Sequence, residues 1–431
     1  MTKTKALIIA YYWPPAGGPG VQRWLKFVKY LPDFGIEPIV YVPSNPNYPI
    51  IDQSLLEEVS DEITVLKQPI KEPYKFAGFL SKNKTKTISK GLIPKEKQQS
   101  HIDKLLLFIR GNFFIPDARK NWIKPSVQYL ESYINTHKIK TIITTGPPHS
   151  LHLIGLELQK RTGVKWLADF RDPWTTIGYH KQLKLTHFAK QKHKHLERKV
   201  LKAADQIIVT SQVTKTEFSI LTEKPISVIT NGYDRNNVAN PPLDTKFTVA
   251  HIGSLLSKRN PEVLWQVLKE LIAEHSGFAK DLELHFIGSI SVDVLNSLKS
   301  FQLNDYVTNH SYVTHDKAIE FQKKSQVLLL IEIDSEDTKC IIPGKLFEYI
   351  VSNRPILAIG PKDSDVENII RETNTGFYFN YQDHDTIKRT LLNFYKEYQE
   401  GSLKSHAIGL QKYSRKNLTQ SLSQLIIWES Y

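Results

Sequence analysis

The segment Pro343-Gly-Lys-Leu-Phe-Glu-Tyr349 combines a proline–glycine turn with a lysine and a glutamate about one helical turn apart. The apolar run Val327–Ile333 precedes it and predicts a buried strand. A glycine-headed helix N-terminus leaves backbone N–H groups free for an anion. Lys345 would add positive charge for a phosphate, and Glu348 would accept hydrogen bonds from a ribose diol. The segment therefore predicts a nucleoside diphosphate pocket around Gly344; the alternative is an ordinary turn that this glycine only helps to bend.

Two other glycine-containing segments also follow apolar, strand-like runs. Gly17 and Gly18 let the backbone approach a ligand closely and adopt positive φ angles. Their spacing is not that of a dinucleotide-binding loop, so we do not expect a nicotinamide cofactor. Gly253 precedes the adjacent cations Lys258 and Arg259, which stand just before a predicted helix. Two cations at such a place predict a phosphate clamp, and the sequence leaves open which side chain points inward.

Three charged residues crowd the end of another apolar run, Leu167-Ala-Asp-Phe-Arg-Asp-Pro-Trp174. Burying them without partners would cost several kcal/mol, so they predict either a ligand site or a structural Asp–Arg ion pair. Arg171 cannot act as a general base and is a candidate for binding phosphate or acceptor charge. Asp169 and Asp172 are then the candidates for proton handling or hydroxyl binding. His149 ends another strand-like run, where it would contact ligand or serve a structural role.

These motifs together resemble those of family 4 glycosyltransferases, which are retaining enzymes with the GT-B fold. The segment from Pro343 resembles the family's donor-binding region, and the loop with Gly17 and Gly18 resembles its first glycine-rich loop. Asn231-Gly-Tyr-Asp234 matches the family's Asn-Gly-x-Asp element. The resemblance covers nearly the whole chain. It implies two Rossmann-like domains facing across a cleft, with the acceptor on the N-terminal domain and the nucleotide-sugar on the C-terminal one.

The chain departs from the family's pattern at three positions. The family usually carries two glutamates eight positions apart, and with Glu348 as the second, the first falls on Cys340. The resemblance therefore supplies no residue for the usual contact to the transferred sugar. Arg171 stands where many members have a histidine before the aspartate, although a subset shares the arginine. Ser254 takes the place of an arginine that contacts the diphosphate in the family.

Length and composition fit two domains of roughly 200 residues within the 431-residue chain. The chain contains no run of 18 apolar residues, so we expect no membrane-spanning helix. The single cysteine is typical of a reducing cytoplasm. The net charge of +13 is concentrated: residues 71–125 carry 13 Lys and Arg against 4 Asp and Glu, and residues 180–202 carry 8 against 1. Such segments favour contact with anionic lipid or nucleic acid, unless they are ordinary solvated surface.

Short apolar runs alternate with helix-length amphipathic segments along the chain. The predicted strands are Ala6–Tyr11, Ile36–Val42, Thr141–Thr145, Lys165–Asp169, Gln206–Thr210, Ile226–Thr230, Phe247–Ile252, Leu282–Ile287, Val307–Tyr312, Val327–Ile333 and Pro355–Ile359. Strands that are apolar on both faces indicate parallel sheets covered by helices, hence a doubly wound α/β fold. We expect an N-terminal domain over 1–240, with a basic insertion at about 71–125, and a C-terminal domain over 241–404. The resemblance places a final helix, 405–431, back on the first domain.

The function that this sequence predicts is transfer of a sugar from a nucleotide-sugar to a hydroxyl of a glycan or lipid-linked acceptor, in cell-surface polysaccharide synthesis. The resemblance implies a retaining, hexosyltransferase-like and metal-independent enzyme, with no cofactor other than the nucleotide-sugar substrate. We expect a cytoplasmic protein, peripheral on the inner face of the membrane, with no nucleic-acid partner because no recognised nucleic-acid motif is present. The predicted donor-binding residues are Gly17, Gly18, Gly253, Lys258, Arg259, Gly344, Lys345 and Glu348; the predicted catalytic residues are His149, Asp169, Arg171 and Asp172.

Two other classes of function stay open at this point. A nucleotide-sugar epimerase with a GT-B-like fold would use the same donor pocket without an acceptor. A non-enzymatic, basic polyanion-binding protein would not need Glu348 beside a glycine-headed helix.

Overall fold

The computed structural model describes residues 3–72, 101–181, 183–234 and 239–427 of the chain. The described residues form two compact units. The first comprises the residues up to Thr230 together with those from Arg415 onward, and the second spans Asn231–Ser414. Of the predicted basic insertion, residues 73–100 lie outside the described part.

Within the described residues, the first unit is built on a seven-stranded sheet in which every pairing is parallel. Its strands are β1 (Thr4–Ile9), β2 (Ile36–Pro43), β3 (Thr64–Gln68), β4 (Thr141–Gly146), β5 (Lys165–Phe170), β6 (Gln206–Val209) and β7 (Ile226–Val228), in the order β3-β2-β1-β4-β5-β6-β7. Alternate residues of β1 enter two separate hydrophobic clusters: Leu7 and Ile9 join one, and Ala6 and Ile8 join the other. The sheet is therefore covered on both faces, which explains its continuous apolar strands.

Helices of the first unit connect these strands. They are α1 (Pro19–Tyr30), α2 (His101–Phe113), α3 (Ile123–His137), α4 (Ser150–Thr162), α5 (Gly178–Lys181), α6 (His187–Ala203) and α7 (Gln212–Ser219). The helix Arg415–Ile427 near the end of the chain also belongs to this unit, because Leu418 and Leu422 join the cluster that includes Val21 and Leu25 of α1. Residues 405–414, in contrast, lie in the second unit, where the Tyr413 ring packs on Phe347.

The second unit has a six-stranded, all-parallel sheet in its described residues. Its strands are β8 (Phe247–Ile252), β9 (Leu282–Ile287), β10 (Val307–His310), β11 (Val327–Ile331), β12 (Ile356–Ile359) and β13 (Gly376–Phe379), in the order β10-β9-β8-β11-β12-β13. The helices around it are α8 (Glu262–Glu274), α9 (Ser276–Asp281), α10 (Val292–Ser300), α11 (His315–Lys324), α12 (Lys345–Tyr349), α13 (Asp365–Thr373) and α14 (His384–Gln399), and the C-terminal helix Arg415–Ile427 is α15.

The predicted doubly wound α/β fold is confirmed by these two sheets. The sequence did not predict two strands, β3 and β13, and both form an edge of their sheet. No helix in the described part of the chain combines the length and the apolar character needed to cross a membrane.

Strand order determines which loops can build a site. In the first unit β1, β4 and β5 are neighbours, and in the second β8, β11 and β12 are neighbours. Loops that leave the carboxyl ends of neighbouring parallel strands meet at one edge of a sheet, where α/β proteins bind ligands. Apart from Asn231–Asp234 and the basic segments, the motifs that carried functional predictions lie at the ends of β1, β4, β5, β8 and β11 or in the connections that follow these strands.

Candidate functional site

At the carboxyl edge of the second sheet, Lys345 turns back over the end of β8. Its Nζ donates to the Ile252 carbonyl at 2.7 Å and lies 3.2 Å from His251 Nε2. A Cβ at Gly253, which has φ +108°, would stand 3.2 Å from the same Nζ, so the glycine keeps this approach open. Burial, followed by the charge of Arg259, lowers the pKa of Lys345 to about 7. A cation held here gains from any anion that replaces the missing counter-charge.

His251 fixes the direction of that lysine. The imidazole is buried, and its Nδ1 lies 3.0 Å from the Leu329 carbonyl, which can only accept a hydrogen bond. Nδ1 therefore carries the proton and Nε2 presents a lone pair to the Lys345 ammonium. Burial and then the Lys345 charge hold the pKa of His251 well below its ordinary value, which keeps the ring neutral.

The structure distinguishes the two adjacent cations that the sequence could not. Lys258 is exposed, whereas Arg259 is half-buried and acts electrostatically on Lys345, Glu332 and Tyr381. In the described residues the Arg259 side chain has no hydrogen-bond partner, and its Nε is shielded from solvent. A guanidinium in that situation is a ready site for phosphate oxygens. Arg259 is therefore the inward cation.

Glu348 is already engaged through both carboxylate oxygens. Oε1 lies 2.9 Å from His315 Nε2, and Oε2 accepts from Gln322 Nε2 at 2.7 Å. Its side chain is half-buried, so one edge still faces solvent. Helix α11 thus orients the carboxylate that α12 presents, and a bound diol would have to share or replace these two donors.

Gly344 has an ordinary helical conformation at φ −56°, and a Cβ there would meet open space. The glycine is therefore not required by the backbone. Helix α12 is only five residues long, so its dipole is small, and the anion-binding capacity of this edge comes mainly from the side chains of Lys345 and Arg259.

At the carboxyl edge of the first sheet, Arg171 brings three loops together. Its Nε donates to the Gly146 carbonyl at 3.3 Å, and Nη2 donates to Pro147 at the end of β4. The guanidinium also lies against α1, because a Cβ at Gly20 would stand 1.9 Å from Nη1. The glycine at position 20 therefore makes room for Arg171, a role that the sequence did not indicate.

Asp172 follows Arg171 and differs from it in having no hydrogen bond within the described residues. It is half-buried, and burial raises the pKa of its carboxyl group despite the neighbouring Arg171 charge. A carboxylate without an internal partner at a strand end is suited to accept a hydrogen bond, or a proton, from a substrate hydroxyl.

His149 packs face to face on Trp174, with ring centroids 4.7 Å apart and planes 3° apart. Both of its ring nitrogens are buried, and neither has a hydrogen-bond partner in the part of the chain that the structure describes. Burial and the nearby His152 hold its pKa well below the ordinary value, so the ring is neutral. The structure therefore brings His149, Arg171 and Asp172 to one sheet edge, as their positions after β4 and β5 require.

Asp169 is placed differently from Asp172. It is fully buried, and it accepts hydrogen bonds from Arg23 Nη2, Trp24 Nε1 and Thr145 Oγ1, each at 2.8 Å. Burial alone would raise the pKa of Asp169, but the Arg23 charge and these hydrogen bonds outweigh it and hold the pKa below its ordinary value. This geometry matches the structural ion pair that the sequence left as an alternative, with Arg23 as the partner rather than Arg171.

Gly17 and Gly18 lie in the loop between β1 and α1. Gly18 precedes the helix with φ +104°, a conformation that favours glycine. A Cβ at Gly17 would stand 2.9 Å from the Ile50 side chain, so packing within the unit already accounts for that glycine. The Cys340 side chain is buried. Among the residues that the structure describes, no three His, Cys, Asp or Glu side chains are grouped to hold a metal ion.

Comparison with known proteins identifies the architecture. No family model and no curated protein sequence matches the chain. Among solved structures, a glycosyltransferase from Rickettsia africae ESF-5 superimposes with a TM-score of 0.57 at 12% identity, covering 100% of both chains. Anabaena Alr3699/HepE, solved with UDP and glucose, gives 0.56 at 13% identity and covers 98% of this chain and 99% of its own. A TarM mutant from S. aureus, solved with fondaparinux, alpha-GlcNAc-glycerol and UDP, gives 0.57 at 13% identity and covers 99% of this chain and 100% of its own.

The chain has the GT-B fold. At sequence identities near 12%, the similarity to these structures shows the fold alone, and the chemistry depends on this chain's own residues. One buried acid of the GT-B second unit escaped the sequence analysis. Glu332 follows β11, and its Oε2 accepts from Tyr378 OH at 2.6 Å and from Ser364 Oγ at 3.1 Å. Its Oε1 has no hydrogen-bond partner among the residues that the structure describes. A charged residue inside the apolar run Val327–Ile333 was the available signal.

Proposed function

We propose that this protein is a retaining glycosyltransferase that moves a sugar, a hexose by resemblance, from a nucleotide-sugar to a hydroxyl of a glycan or lipid-linked acceptor in cell-surface polysaccharide synthesis. The GT-B fold and the chemistry of the two sheet edges support this proposal. It is a cytoplasmic enzyme that uses no metal and no cofactor other than its donor substrate, and nucleic acid is not a partner.

The observation that carries the proposal is a pair of cationic side chains at the second sheet edge that no carboxylate of the described residues hydrogen-bonds. Arg259 has no partner in the described residues, and Lys345 is held by a carbonyl and an imidazole instead of a carboxylate. Keeping two such cations partly or fully out of water without a hydrogen-bonded carboxylate is costly unless an anionic ligand completes the site. We assign the donor diphosphate to this pair and to the backbone near Gly253 and Gly344, and the ribose to Glu348.

The first unit supplies the acceptor side in this proposal. Asp172 accepts a hydrogen bond from the acceptor hydroxyl, Arg171 attracts acceptor or phosphate charge, and the neutral His149 ring offers a nitrogen for a sugar hydroxyl. The loop with Gly17 and Gly18 approaches the substrates through its backbone. Asp169 has a structural role in this proposal, because its hydrogen bonds with Arg23 and Trp24 fix α1 against the sheet.

The reaction needs no enzyme nucleophile. The bond between the anomeric carbon and the leaving phosphate oxygen breaks as the acceptor oxygen forms its bond on the same face. The acceptor proton passes to the departing diphosphate, which gains two charge-assisted contacts from Arg259 and Lys345. Catalysis then rests on orientation and on stabilisation of developing negative charge.

A calorimetric screen with UDP-, GDP- and dTDP-sugars tests the donor site. We expect one nucleotide series to bind, and Glu348→Ala to weaken that binding by about 1.5–3 kcal/mol through loss of a charged acceptor for the ribose. His315→Ala is the matched control, since it removes the carboxylate's neighbour and leaves the carboxylate in place. A folded Glu348→Ala variant with unchanged affinity would remove this residue from the site.

Product analysis then separates transfer from epimerisation. With the bound nucleotide-sugar and a glycan acceptor, a transferase releases nucleoside diphosphate and extends the acceptor with the same anomeric configuration. Isomerisation of the sugar without any acceptor would favour the epimerase, and no nucleotide binding at all would contradict both enzymes.

A further inference from the structure

The outer surface of α6 is unusual in its charge. Its solvent-exposed side chains include six cations, Lys190, Lys192, Lys194, Arg198, Lys199 and Lys202. None of them has an acidic partner among the described residues. Glu197, the single acid of this helix, points inward, where it accepts from Thr175 N and Oγ1 at 3.0 and 2.6 Å. The charge on the outer face is therefore uncompensated, and a polyanion would meet it without breaking an ion pair.

Exposed apolar side chains adjoin this cationic face. Asn112 near the end of α2 is bonded to Thr186 before α6, since its Oδ1 accepts from Thr186 N and Oγ1 at 2.8 Å each. Phe113 follows Asn112 and is 64% exposed, and Phe188 follows Thr186 by two residues and is 74% exposed. On α2, Leu105, Phe108 and Ile109 are exposed as well, although Leu107 is buried against Leu183. Several large apolar side chains left in water beside lysines are a mark of an interaction surface.

We propose that these elements form one membrane-docking surface, in which Phe113 and Phe188 insert between the headgroups of an anionic bilayer and the outer face of α6 binds its phosphates. The proposal does not depend on the assigned reaction. A duplex or single strand of nucleic acid would use the same cations, but the aliphatic Leu105 and Ile109 offer nothing for a base to stack on. Interleaved basic and apolar side chains on exposed helices fit an interfacial lipid site better.

The same helix joins this surface to the first sheet edge. His193, on the inner face of α6, accepts a hydrogen bond from Trp174 Nε1 at 3.2 Å, and Glu197 accepts one from the backbone N–H of Thr175. The loop that carries Arg171 and Asp172 therefore rests on the inner side of the helix whose outer side binds lipid. A lipid-linked substrate would then reach this edge from the bilayer that the helix touches.

Co-sedimentation of the full chain with vesicles tests the surface. At about 0.1 M salt we expect binding to phosphatidylcholine vesicles that contain phosphatidylglycerol, and little binding to pure phosphatidylcholine. Replacing Lys190, Lys192 and Lys194 with Glu should weaken binding at least about tenfold. The control replaces the exposed Lys269, Lys280 and Lys299 of the second unit with Glu, which changes the net charge equally and should leave binding nearly unchanged.

A second pair of variants tests the apolar part. Phe113→Ser with Phe188→Ser should abolish the binding that survives at high salt, whereas Ile220→Ser with Val292→Ser, at exposed positions elsewhere, should not. Equal loss in both lysine triples would reduce the effect to net charge and overturn the proposal. Equally poor sedimentation with both vesicle types, or binding to DNA or RNA that anionic vesicles fail to displace, would also overturn it.

Discussion

The two sheet edges treat buried charge in opposite ways. In the first unit the deepest acid, Asp169, is matched by Arg23 and saturated with hydrogen bonds from its own unit. Among the described residues of the second unit, Arg259 has no hydrogen-bond partner, Lys345 has no carboxylate partner, and one oxygen of Glu332 has no donor. A completed charge network holds a fold together, while an incomplete one is a place where a ligand gains binding energy. Polarity at a strand end is therefore not sufficient to indicate a substrate contact.

The largest effect that this comparison predicts is on stability. Arg23→Ala leaves the Asp169 carboxylate buried without its counter-charge, so the free energy of unfolding should fall by about 3–5 kcal/mol. Arg259→Ala should change it far less, because no partner is left behind. Urea unfolding, followed by fluorescence, measures both variants. Equal losses for Arg23→Ala and Arg259→Ala would remove the distinction between the two edges.

Substitutions of the two aspartates at the first sheet edge should likewise differ in their effects on turnover and stability. Asp172→Asn should reduce turnover about a hundredfold or more, as expected for loss of the carboxylate that orients the acceptor hydroxyl, with donor affinity and melting temperature nearly unchanged. Asp169→Asn should instead lower the melting temperature. Steady-state kinetics, calorimetry and thermal unfolding on both variants give the three readouts. A stability loss for Asp172→Asn as large as that for Asp169→Asn would make Asp172 structural.

Substitutions of Lys258 and Arg259 test which cation at the second sheet edge binds the diphosphate. Arg259→Ala should weaken binding of the nucleoside diphosphate by about 1.5–3 kcal/mol, because the guanidinium is assigned to phosphate. The weak binding of the nucleoside should be unchanged. Lys258→Ala is the matched control at the next position and should have little effect, since that side chain is exposed. If only Lys258→Ala produces the phosphate-selective loss, the phosphate contact belongs to Lys258 and not to Arg259.

The sequence was sufficient for the strands that are buried on both faces, because an unbroken apolar run such as Leu328–Ile331 fits few other environments. It was insufficient for β3 and β13. In β3, Thr64 and Lys67 are exposed, and β13 begins with Gly376, so neither edge strand shows a continuous apolar signal. Edge strands need to bury only part of their surface, and their sequences are correspondingly less distinctive.

The role of a site residue depended on partners that are far away in the chain. Arg23 and Asp169 are 146 positions apart, and no local pattern joins them. Glu332 is likewise fixed by Ser364 and Tyr378, which follow it by 32 and 46 positions. The sequence could therefore predict which strand ends carry chemistry. Only the folded chain shows which of their charges are already neutralised.

The smallest predicted effect concerns pH and tests whether the charge of Lys345 belongs to the ligand. Burial and Arg259 lower the pKa of Lys345 to about 7 in the free protein, far below the ordinary lysine value of 10.5. Above pH 7 the free protein therefore holds this amine mostly neutral, whereas a diphosphate favours the ammonium form. Binding must then take up a proton, and affinity should fall with rising pH by at most about tenfold per unit. The phosphate itself does not explain this trend, since its last ionisation has a pKa of about 6 and is largely complete above about pH 7.

Glu332 at this edge also changes charge in the same range, because burial raises its pKa to about 7. His251 stays neutral, and Arg259 stays charged. Glu332 loses its proton as pH rises, and the added negative charge would also weaken diphosphate binding, so the two contributions have the same sign. Calorimetry at pH 8, in two buffers of different ionisation enthalpy, counts the protons taken up on binding. We expect the Lys345→Met variant to lose most of the proton uptake on binding. The Glu332→Gln variant should keep the part of the uptake that is due to Lys345. If Lys345→Met binds with unchanged proton uptake, the lysine does not contact the phosphate.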